Sequence, residues 1–143
     1  MGLFFSDRMM LTNLDADLAS EPDGMFLSNE SGESGRATFH EGDDSLEVVG
    51  TPDMVLEVVS KTSAKKDTEV LRELYWKAGI AEYWLVETRG EVPQLEILRH
   101  TSAKYVTTRK QGGWIKSNVF GKSFNLTSKE GRLGVSDFTL ALR

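Results

Sequence analysis

The residues best suited to chemistry in this sequence are three carboxylates that lie close to apolar, strand-like segments. Glu57 interrupts the apolar run PDMVLEVVS, and Asp23 and Asp53 each follow a proline, in EPDG and TPDM. Glutamate is seldom buried in such a run unless another group pairs with it. Two or three carboxylates that converge at the edge of a sheet supply the hard oxygen ligands of a magnesium-type site. The spacing of these acids decides which of them can share an ion.

Asp53 and Glu57 cannot hold one ion together, although they lie on the same face of a predicted strand. Four residues of extended chain separate them by roughly 13 Å. Asp23 lies beside the neighbouring predicted strand, residues 25–27. We therefore expect Asp23 to be the second carboxylate of any site that includes Glu57.

Each of the three acids also has a purely structural interpretation. The sequence x-Pro-Asp-Gly is a preferred turn, which would account for Asp23. Proline is tolerated at the first residue of a strand, so Asp53 is interpreted as a strand-entry residue. Glu57 could instead pair with a buried base such as Arg72, and the sequence favours neither this pairing nor the metal site.

Other motifs that carry chemistry are missing from the sequence. His40 and His100 stand alone without metal-ligand spacing, and the chain has no cysteine. A thiolate-bound metal site and a disulfide framework are therefore excluded. The sequence also contains no GxSxG elbow, P-loop or GxGxxG fingerprint.

The elements that must position the acids form a strand–helix–strand unit. The segment LEVVGTPDMVLEVVS is the most apolar in the chain and predicts a central strand. A helix follows, with apolar residues at helical spacing, Gly79 as its C′ residue and Asp67 among the candidate N-caps. The next strand, EYWLVE, is apolar on both faces. This order predicts a right-handed crossover between parallel strands. The helix stripe consists of Val70, Leu71, Leu74, Tyr75 and Ala78.

The flanking segments complete an α/β domain with a mixed sheet. Two short strands are expected at residues 9–14 and 25–27, and residues 29–45 (NESGESGRATFHEGDDS) have the composition of a long mobile loop. From QLEILRH onward, short strands and turns predict an antiparallel annex at the C-terminal end. The 143 residues suit a single domain, residues 1–143.

The composition and charge of the chain limit the kinds of partner that the protein can bind. No apolar run approaches the roughly 20 residues that a membrane helix needs, and the start of the chain has no signal-peptide pattern. We therefore expect a soluble cytoplasmic protein. The net charge of −5 is unevenly distributed: residues 1–50 carry −9, residues 51–100 carry −2 and residues 101–143 carry +6. The acidic first third argues against a general nucleic-acid coat protein, whereas the basic last third could form a local phosphate-facing surface.

Residues 52–87 resemble the Uma-type restriction endonuclease family, which is widespread in bacteria and belongs to the PD-(D/E)XK nuclease superfamily. The matching pattern is a Pro-Asp-apolar-Glu-Val strand, an acid before a helix, and Tyr-x-x-Ala-Gly-x-x-Glu-Tyr-Trp. The upstream EPDGMFLS resembles an earlier element of the same family. These positions are Pro52, Asp53, Glu57, Val58, Ser60, Asp67, Tyr75, Ala78, Gly79, Glu82, Tyr83, Trp84 and Val86, with Glu87 in place of a final aspartate.

The resemblance implies a restriction-endonuclease-like fold and a metal-dependent DNA endonuclease. Asp23 and Glu57 would be the two acids that hold Mg²⁺, with Mn²⁺ as an alternative, against a phosphodiester of DNA. The family also uses a lysine, but the two expected positions hold Val59 and Leu71. Lys61 is the first replacement we predict, because it leaves the same strand as Glu57. The further candidates are Lys65, Lys66 and Arg72.

The missing lysine leaves a second function open. The chain would then be a catalytically impaired, nuclease-like domain that binds DNA or protein, with DNA held by the basic residues after position 100. A third and plainer alternative is a structural domain in which Arg72 pairs with Glu57. The family also has a helical segment before the position of Met1, so we expect a shortened copy or a fragment. A homodimer would suit an enzyme that cuts both strands of a duplex.

Overall fold

The computed structural model describes residues 1–6, 9–41, 46–59 and 65–143, and the side chains of residues 65–67 lie outside this description. Strands dominate, in agreement with the predicted α/β class. The strands are β1 (Gly2–Ser6), β2 (Met9–Asn13), β3 (Leu18–Ser20), β4 (Gly24–Ser28), β5 (Ala37–Glu41), β6 (Leu46–Gly50), β7 (Met54–Val59), β8 (Glu82–Glu87), β9 (Gln94–His100), β10 (Tyr105–Thr107), β11 (Ile115–Ser117), β12 (Lys122–Glu130) and β13 (Ser136–Leu142). The helices are α1 (Asn29–Glu33) and α2 (Lys65–Lys77).

The central sheet has six strands in the order β1-β4-β7-β8-β9-β10. Strands β7 and β8 are parallel, with Val55 opposite Tyr83 and Glu57 opposite Leu85, and α2 provides the crossover between them. The other neighbouring pairs are antiparallel. The predicted mixed sheet and its strand–helix–strand unit are therefore confirmed.

The C-terminal end of α2 follows the sequence prediction. Gly79 has a φ of 78°, in the left-handed region that glycine adopts without a steric penalty. Its N–H donates to the Trp76 carbonyl, and the N–H of Ile80 donates to the Tyr75 carbonyl. These two bonds form the Schellman motif, which ends the helix and directs the chain into β8.

Residues 29–45 are not the long loop that their composition predicts. Ser28 caps α1 by accepting the N–H of Ser31, and β5 then pairs with β6. Residues 42–45 lie outside the described part of the chain. The prediction was wrong because Gly, Ser and acidic residues suit a short capped helix as well as a loop, and because β5 is an edge strand with little apolar burial.

A second sheet was not predicted, and it contains β6, which the sequence had placed in one central strand together with β7. Its order is β3-β2-β6-β5, with β2 and β6 parallel. Strand β3, which was also not predicted, lies between the two short strands expected at residues 9–14 and 25–27. The core of the protein fills both faces of the central sheet: Met25, Val55 and Tyr83 face one cluster, and Phe26, Met54 and Trp84 face the other.

The predicted C-terminal annex begins later than QLEILRH, because β9 and β10 pair within the central sheet; it is a three-stranded antiparallel sheet, β11-β12-β13. Glu82, at the start of β8, joins it to the central sheet. The Glu82 carboxylate is 2% exposed and accepts hydrogen bonds from the Trp84 indole and the Ser117 hydroxyl, at 2.9 and 2.7 Å. It also accepts the N–H groups of Asn118 and Val119. These four donors offset the cost of burying the charge.

Neither α1 nor the described length of α2 is long and apolar enough to cross a bilayer.

Candidate active site

The fold brings Asp23 next to Glu57. Strands β4 and β7 are antiparallel, with Gly24 opposite Leu56, and extending this register by one residue places Asp23 opposite Glu57. The N–H of Val58 donates to Asp23 Oδ2 at 2.6 Å, which holds the Asp23 carboxylate at the backbone of β7. Two acids that are 34 positions apart in the sequence thus meet across neighbouring strands, at the end of β4 where its pairing with β7 stops.

Glu57 is half-buried, and its protonation reflects its surroundings. Burial and, to a smaller extent, the like charge of Asp23 raise the pKa of Glu57, a hydrogen bond from Tyr75 lowers it, and the net result is a pKa of about 7. The closeness of the Asp23 carboxylate therefore favours the protonated form of Glu57.

Tyr75 connects α2 to this pair. Its hydroxyl donates to Glu57 Oε1 at 2.6 Å and lies 3.1 Å from the Ser20 hydroxyl. Because the Tyr75 proton is used on Glu57, Ser20 is the donor to Tyr75. Burial and the Glu57 carboxylate raise the pKa of Tyr75 far above its ordinary value, so the hydroxyl remains a donor throughout the working pH range. Sequence reasoning assigned Tyr75 to the core alone, and its helical spacing carried no signal of this second contact.

Tyr83 lies on the same face of the central sheet as Glu57, and its hydroxyl group has unusual surroundings. Its ring packs against Tyr75 with centroids 5.2 Å apart, and its side chain is fully buried. Among the groups that the structure describes, no hydrogen-bond partner reaches the Tyr83 hydroxyl. A buried hydroxyl without a hydrogen-bond partner costs stability.

Asp53 has a different task, as its spacing from Glu57 predicts. Its carboxylate accepts the N–H of Ser28 at 2.7 Å and the hydroxyl of Ser31 at 2.8 Å. Its own N–H donates to the Phe26 carbonyl. Asp53 therefore anchors the start of α1 to the entry of β7.

The predicted alternative pairing of Glu57 with Arg72 does not form. Arg72 donates to the backbone carbonyl of Tyr105 at 3.2 Å, and no ion pair in the described part of the chain joins Arg72 to Glu57.

The interpretation of His100 as a structural residue agrees with its environment, since its ring stacks on Trp76 and contacts the Trp76 carbonyl.

The two positions where the resemblance predicts a lysine hold apolar side chains. Leu71 packs against the core cluster, on the inner face of α2. Val59 is the last residue of β7. The predicted replacement, Lys61, lies outside the described residues, as do the side chains of Lys65 and Lys66. Val70 is half-exposed and does not continue the buried stripe that its spacing predicts.

The donor set of the Asp23–Glu57 pair fits a small hard cation. Within the described ranges, no group of three or more His, Asp and Glu side chains forms a ligand cluster. Mg²⁺ needs no such cluster, because it is commonly held by one or two carboxylates, with waters and substrate phosphate in its other positions. A cation at this pair would also offset the repulsion and desolvation that raise the pKa of Glu57.

A mixed sheet with a parallel crossover and two acids that meet beside its central strands defines a protein of the restriction-endonuclease-like class. A family model agrees with this class. The model for Uma2, described as a "putative restriction endonuclease", matches residues 1–128. The chain therefore belongs to the Uma2 family.

One solved structure with a similar fold is that of a "putative nuclease belonging to DUF820" from Anabaena variabilis. The two share 14% sequence identity with a TM-score of 0.57, and the match covers 84% of this chain and 62% of that chain. At this identity the similarity concerns the fold, and the predicted fold class is confirmed. The present chain spans about 62% of the length of that protein. Comparison with the curated proteins gave no match.

Proposed function

We propose that this protein is a metal-dependent DNA endonuclease in which Asp23 and Glu57 hold a magnesium ion. The observation that supports the proposal most directly is the placement of these two acids opposite each other on neighbouring strands, with Asp23 held by the N–H of Val58. Membership of the Uma2 family adds independent support for a nuclease. When bound, magnesium, or manganese in its place, would activate a water molecule and stabilise charge that develops on the phosphate.

The chain's own residues would prepare this site in three ways. Asp23 and Glu57 supply the negative charge, and Val58 fixes the direction of the Asp23 carboxylate. Tyr75 orients Glu57 from α2 and favours its ionised form. Such preorganisation lets the acids bind a cation without rearranging.

The residue that would replace the missing lysine is proposed to be Lys61, which follows β7 by two residues. A cation there would neutralise negative charge on the scissile phosphate. The DNA is proposed to contact basic side chains after residue 100, all of which are exposed. These residues are Lys104, Arg109, Lys110, Lys116, Lys122, Lys129, Arg132 and Arg143.

The decisive experiment is cleavage of supercoiled plasmid DNA in Mg²⁺ or Mn²⁺ by the wild type and by Glu57→Ala. We expect nicking by the wild type, loss of at least a hundredfold in Glu57→Ala, and no nicking in EDTA. Glu91→Ala, which alters an exposed acid outside the site, is the matched control. Equal nicking by the wild type and by Glu57→Ala would exclude the proposed site.

A second candidate function follows from Leu71. Because this side chain packs into the core, α2 cannot present the family's lysine. The protein would then be a nuclease-like domain that binds DNA or protein without cutting. Absence of cleavage by the folded wild type, together with DNA binding that weakens steeply with salt, would favour this function over the first.

A further inference from the structure

The C-terminal hairpin carries an unpaired strand edge with an apolar face. In the part of the chain that the structure describes, β13 pairs with β12 on one side and with no strand on the other. Phe138, Leu140 and Leu142 are 49%, 47% and 61% exposed. Monomeric proteins usually shorten, twist, charge or cover such an edge, because it is a ready template for pairing with another chain.

The three apolar side chains lie on one face of the hairpin. Leu142 is opposite Phe124 and Leu140 is opposite Leu126 in the β12–β13 register. Phe124 belongs to a buried core cluster, and Leu126 packs against that cluster. The exposed residues of β13 therefore extend a core surface outward to the free edge.

The backbone hydrogen bonds show which residues of β13 have free groups at this edge. Arg143 directs both its N–H and its carbonyl to Ser123, which precedes Phe124 on β12. In an antiparallel pair, successive residues alternate between the two sides of the strand. The odd-numbered residues of β13 therefore bond to β12, and residues 138, 140 and 142 direct their N–H and carbonyl groups outward.

We propose that β13 pairs antiparallel with β13 of a second copy of this chain, with the two-fold axis at Leu140. This register places Leu140 opposite Leu140 of the second copy and Phe138 opposite Leu142. Residues 138, 140 and 142 of both strands then form six backbone hydrogen bonds across the axis, and Ser136 of each strand lies beyond the paired segment. The two annex sheets join into one sheet of six strands.

Charge selects this register among those that the backbone allows. With the axis at Leu140, Asp137 of each copy lies opposite Arg143 of the other, on the polar face of the hairpin. The Arg143 guanidinium lies 4.3 Å from the centroid of the Trp114 ring on that face, and it would turn from this ring to the carboxylate of the second copy. A shift of the axis to Thr139 would place Asp137 opposite Ala141 and remove both ion pairs. Opposite charges directly across an antiparallel pair are favourable and like charges are unfavourable, so the strand is complementary to itself in one register.

The first test is a charge exchange followed by sedimentation equilibrium over about 1 to 200 μM protein. We expect the wild type to dimerise, and we expect either Asp137→Arg or Arg143→Asp to weaken the dimer about tenfold, because each places like charges opposite each other twice. The double variant restores opposite charges and should recover most of the affinity. Glu130→Arg, on β12 away from the free edge, is the matched control and should dimerise like the wild type.

The second test uses the absence of cysteine from the sequence. Leu140→Cys creates a single thiol at the proposed axis, where the Cα atoms of a hydrogen-bonded pair lie about 5.5 Å apart, within disulfide range. Oxidation should give a covalent dimer in high yield. Leu14→Cys, at a side chain that is 82% exposed and distant in sequence from the hairpin, should not crosslink efficiently.

These results separate the interface from the nuclease proposal, since neither test measures cleavage. A wild type that stays monomeric to 200 μM would overturn the proposal. So would a dimer that tolerates both single exchanges, or crosslinking at Leu14→Cys equal to that at Leu140→Cys. Circular dichroism shows whether each hairpin variant is folded. Leu140→Asp should also abolish the dimer, because it places two carboxylates opposite each other at the axis and leaves the Asp137 and Arg143 side chains unchanged.

Discussion

The N–H of Val58 donates to the Asp23 carboxylate at 2.6 Å, so the residue that precedes β4 is tied to the backbone beside Glu57. Asp53, in the other Pro-Asp pair, is instead bonded to Ser28 and Ser31 at the start of α1. The two similar sequence motifs therefore have separate tasks, one at the acid pair and one in the anchoring of a helix.

This difference predicts opposite results for two matched substitutions. Asp23→Asn keeps an oxygen acceptor for Val58 but removes a negative charge, so it should leave stability nearly unchanged and abolish Mg²⁺ binding. Asp53→Asn replaces one accepting oxygen by a donor, and we expect a loss of about 1–3 kcal/mol in unfolding free energy with Mg²⁺ binding retained. Urea denaturation and the thermal shift caused by Mg²⁺ measure both effects. Loss of Mg²⁺ binding in Asp53→Asn alone would contradict the assignment.

The raised pKa of Glu57 predicts how stability depends on pH in the absence of metal. Because the folded state holds the Glu57 proton more tightly than the unfolded chain does, the unfolding free energy should fall as pH rises from about 4.5 to about 7 and then change little from this cause. Solvent screening of the half-buried group limits the loss to about 1–2 kcal/mol. Urea denaturation at pH 5 and pH 8 measures it, and in Glu57→Gln the contribution should disappear.

Magnesium should reverse this loss above pH 7, where Glu57 is ionised. At a Mg²⁺ concentration about ten times its dissociation constant, the expected gain is about 1.4 kcal/mol. The gain should be much smaller at pH 5, where Glu57 is protonated. A thermal shift of equal size at both pH values, or one that persists in Glu57→Gln, would show that Mg²⁺ binds elsewhere.

Removing the hydroxyl of Tyr75 and removing the hydroxyl of Tyr83 should have different effects, although both side chains are buried at the same face of the central sheet. Tyr75→Phe deletes the donor to Glu57, which raises the pKa of Glu57 further and should move the onset of Mg²⁺ binding to higher pH. Tyr83→Phe deletes a hydroxyl with no partner among the described groups, and we expect unchanged or slightly higher stability. Mg²⁺ titrations from pH 6 to pH 9 compare the two variants. Identical pH profiles for Tyr75→Phe and the wild type would exclude the orienting role of Tyr75.

The sequence predicted the elements that have strong local patterns. EYWLVE is apolar on both faces and became β8, the strand whose Tyr83 and Trp84 fill opposite core clusters. Gly79 ended α2 where its left-handed conformation was expected. In contrast, α1 and β5 were missed, because a capped five-residue helix and an edge strand leave almost no apolar periodicity.

Within the site, the meeting of Asp23 and Glu57 could be anticipated, whereas the contacts of Tyr75 could not. Asp23 directly precedes β4 and Glu57 lies within β7, so the adjacency of these two strands alone suggests that the acids are neighbours. The Tyr75 hydroxyl reaches Glu57 only because α2 packs across the sheet in one particular rotation. A side chain that serves both core and site has the same spacing in the sequence as one that serves the core alone.

The last prediction concerns Glu82, which attaches the C-terminal annex to the central sheet and is not part of the acid pair. Its buried carboxylate accepts four hydrogen bonds, two of them from the backbone of the segment that follows β11. Glu82→Ala leaves these donors without an acceptor, and we expect a loss of about 3 kcal/mol or more in unfolding free energy. Glu82→Gln should lose less, because the amide keeps one accepting oxygen.

Urea denaturation followed by tryptophan fluorescence measures this loss, since Trp84 is one of the four donors. The exposed Glu91, changed to alanine, should stay within about 0.5 kcal/mol of the wild type. Below its melting temperature Glu82→Ala should retain Mg²⁺ binding, because Glu82 is not part of the acid pair. Wild-type stability in Glu82→Ala would mean that water replaces the carboxylate without cost, and the annex would then depend on apolar packing around Phe124 alone.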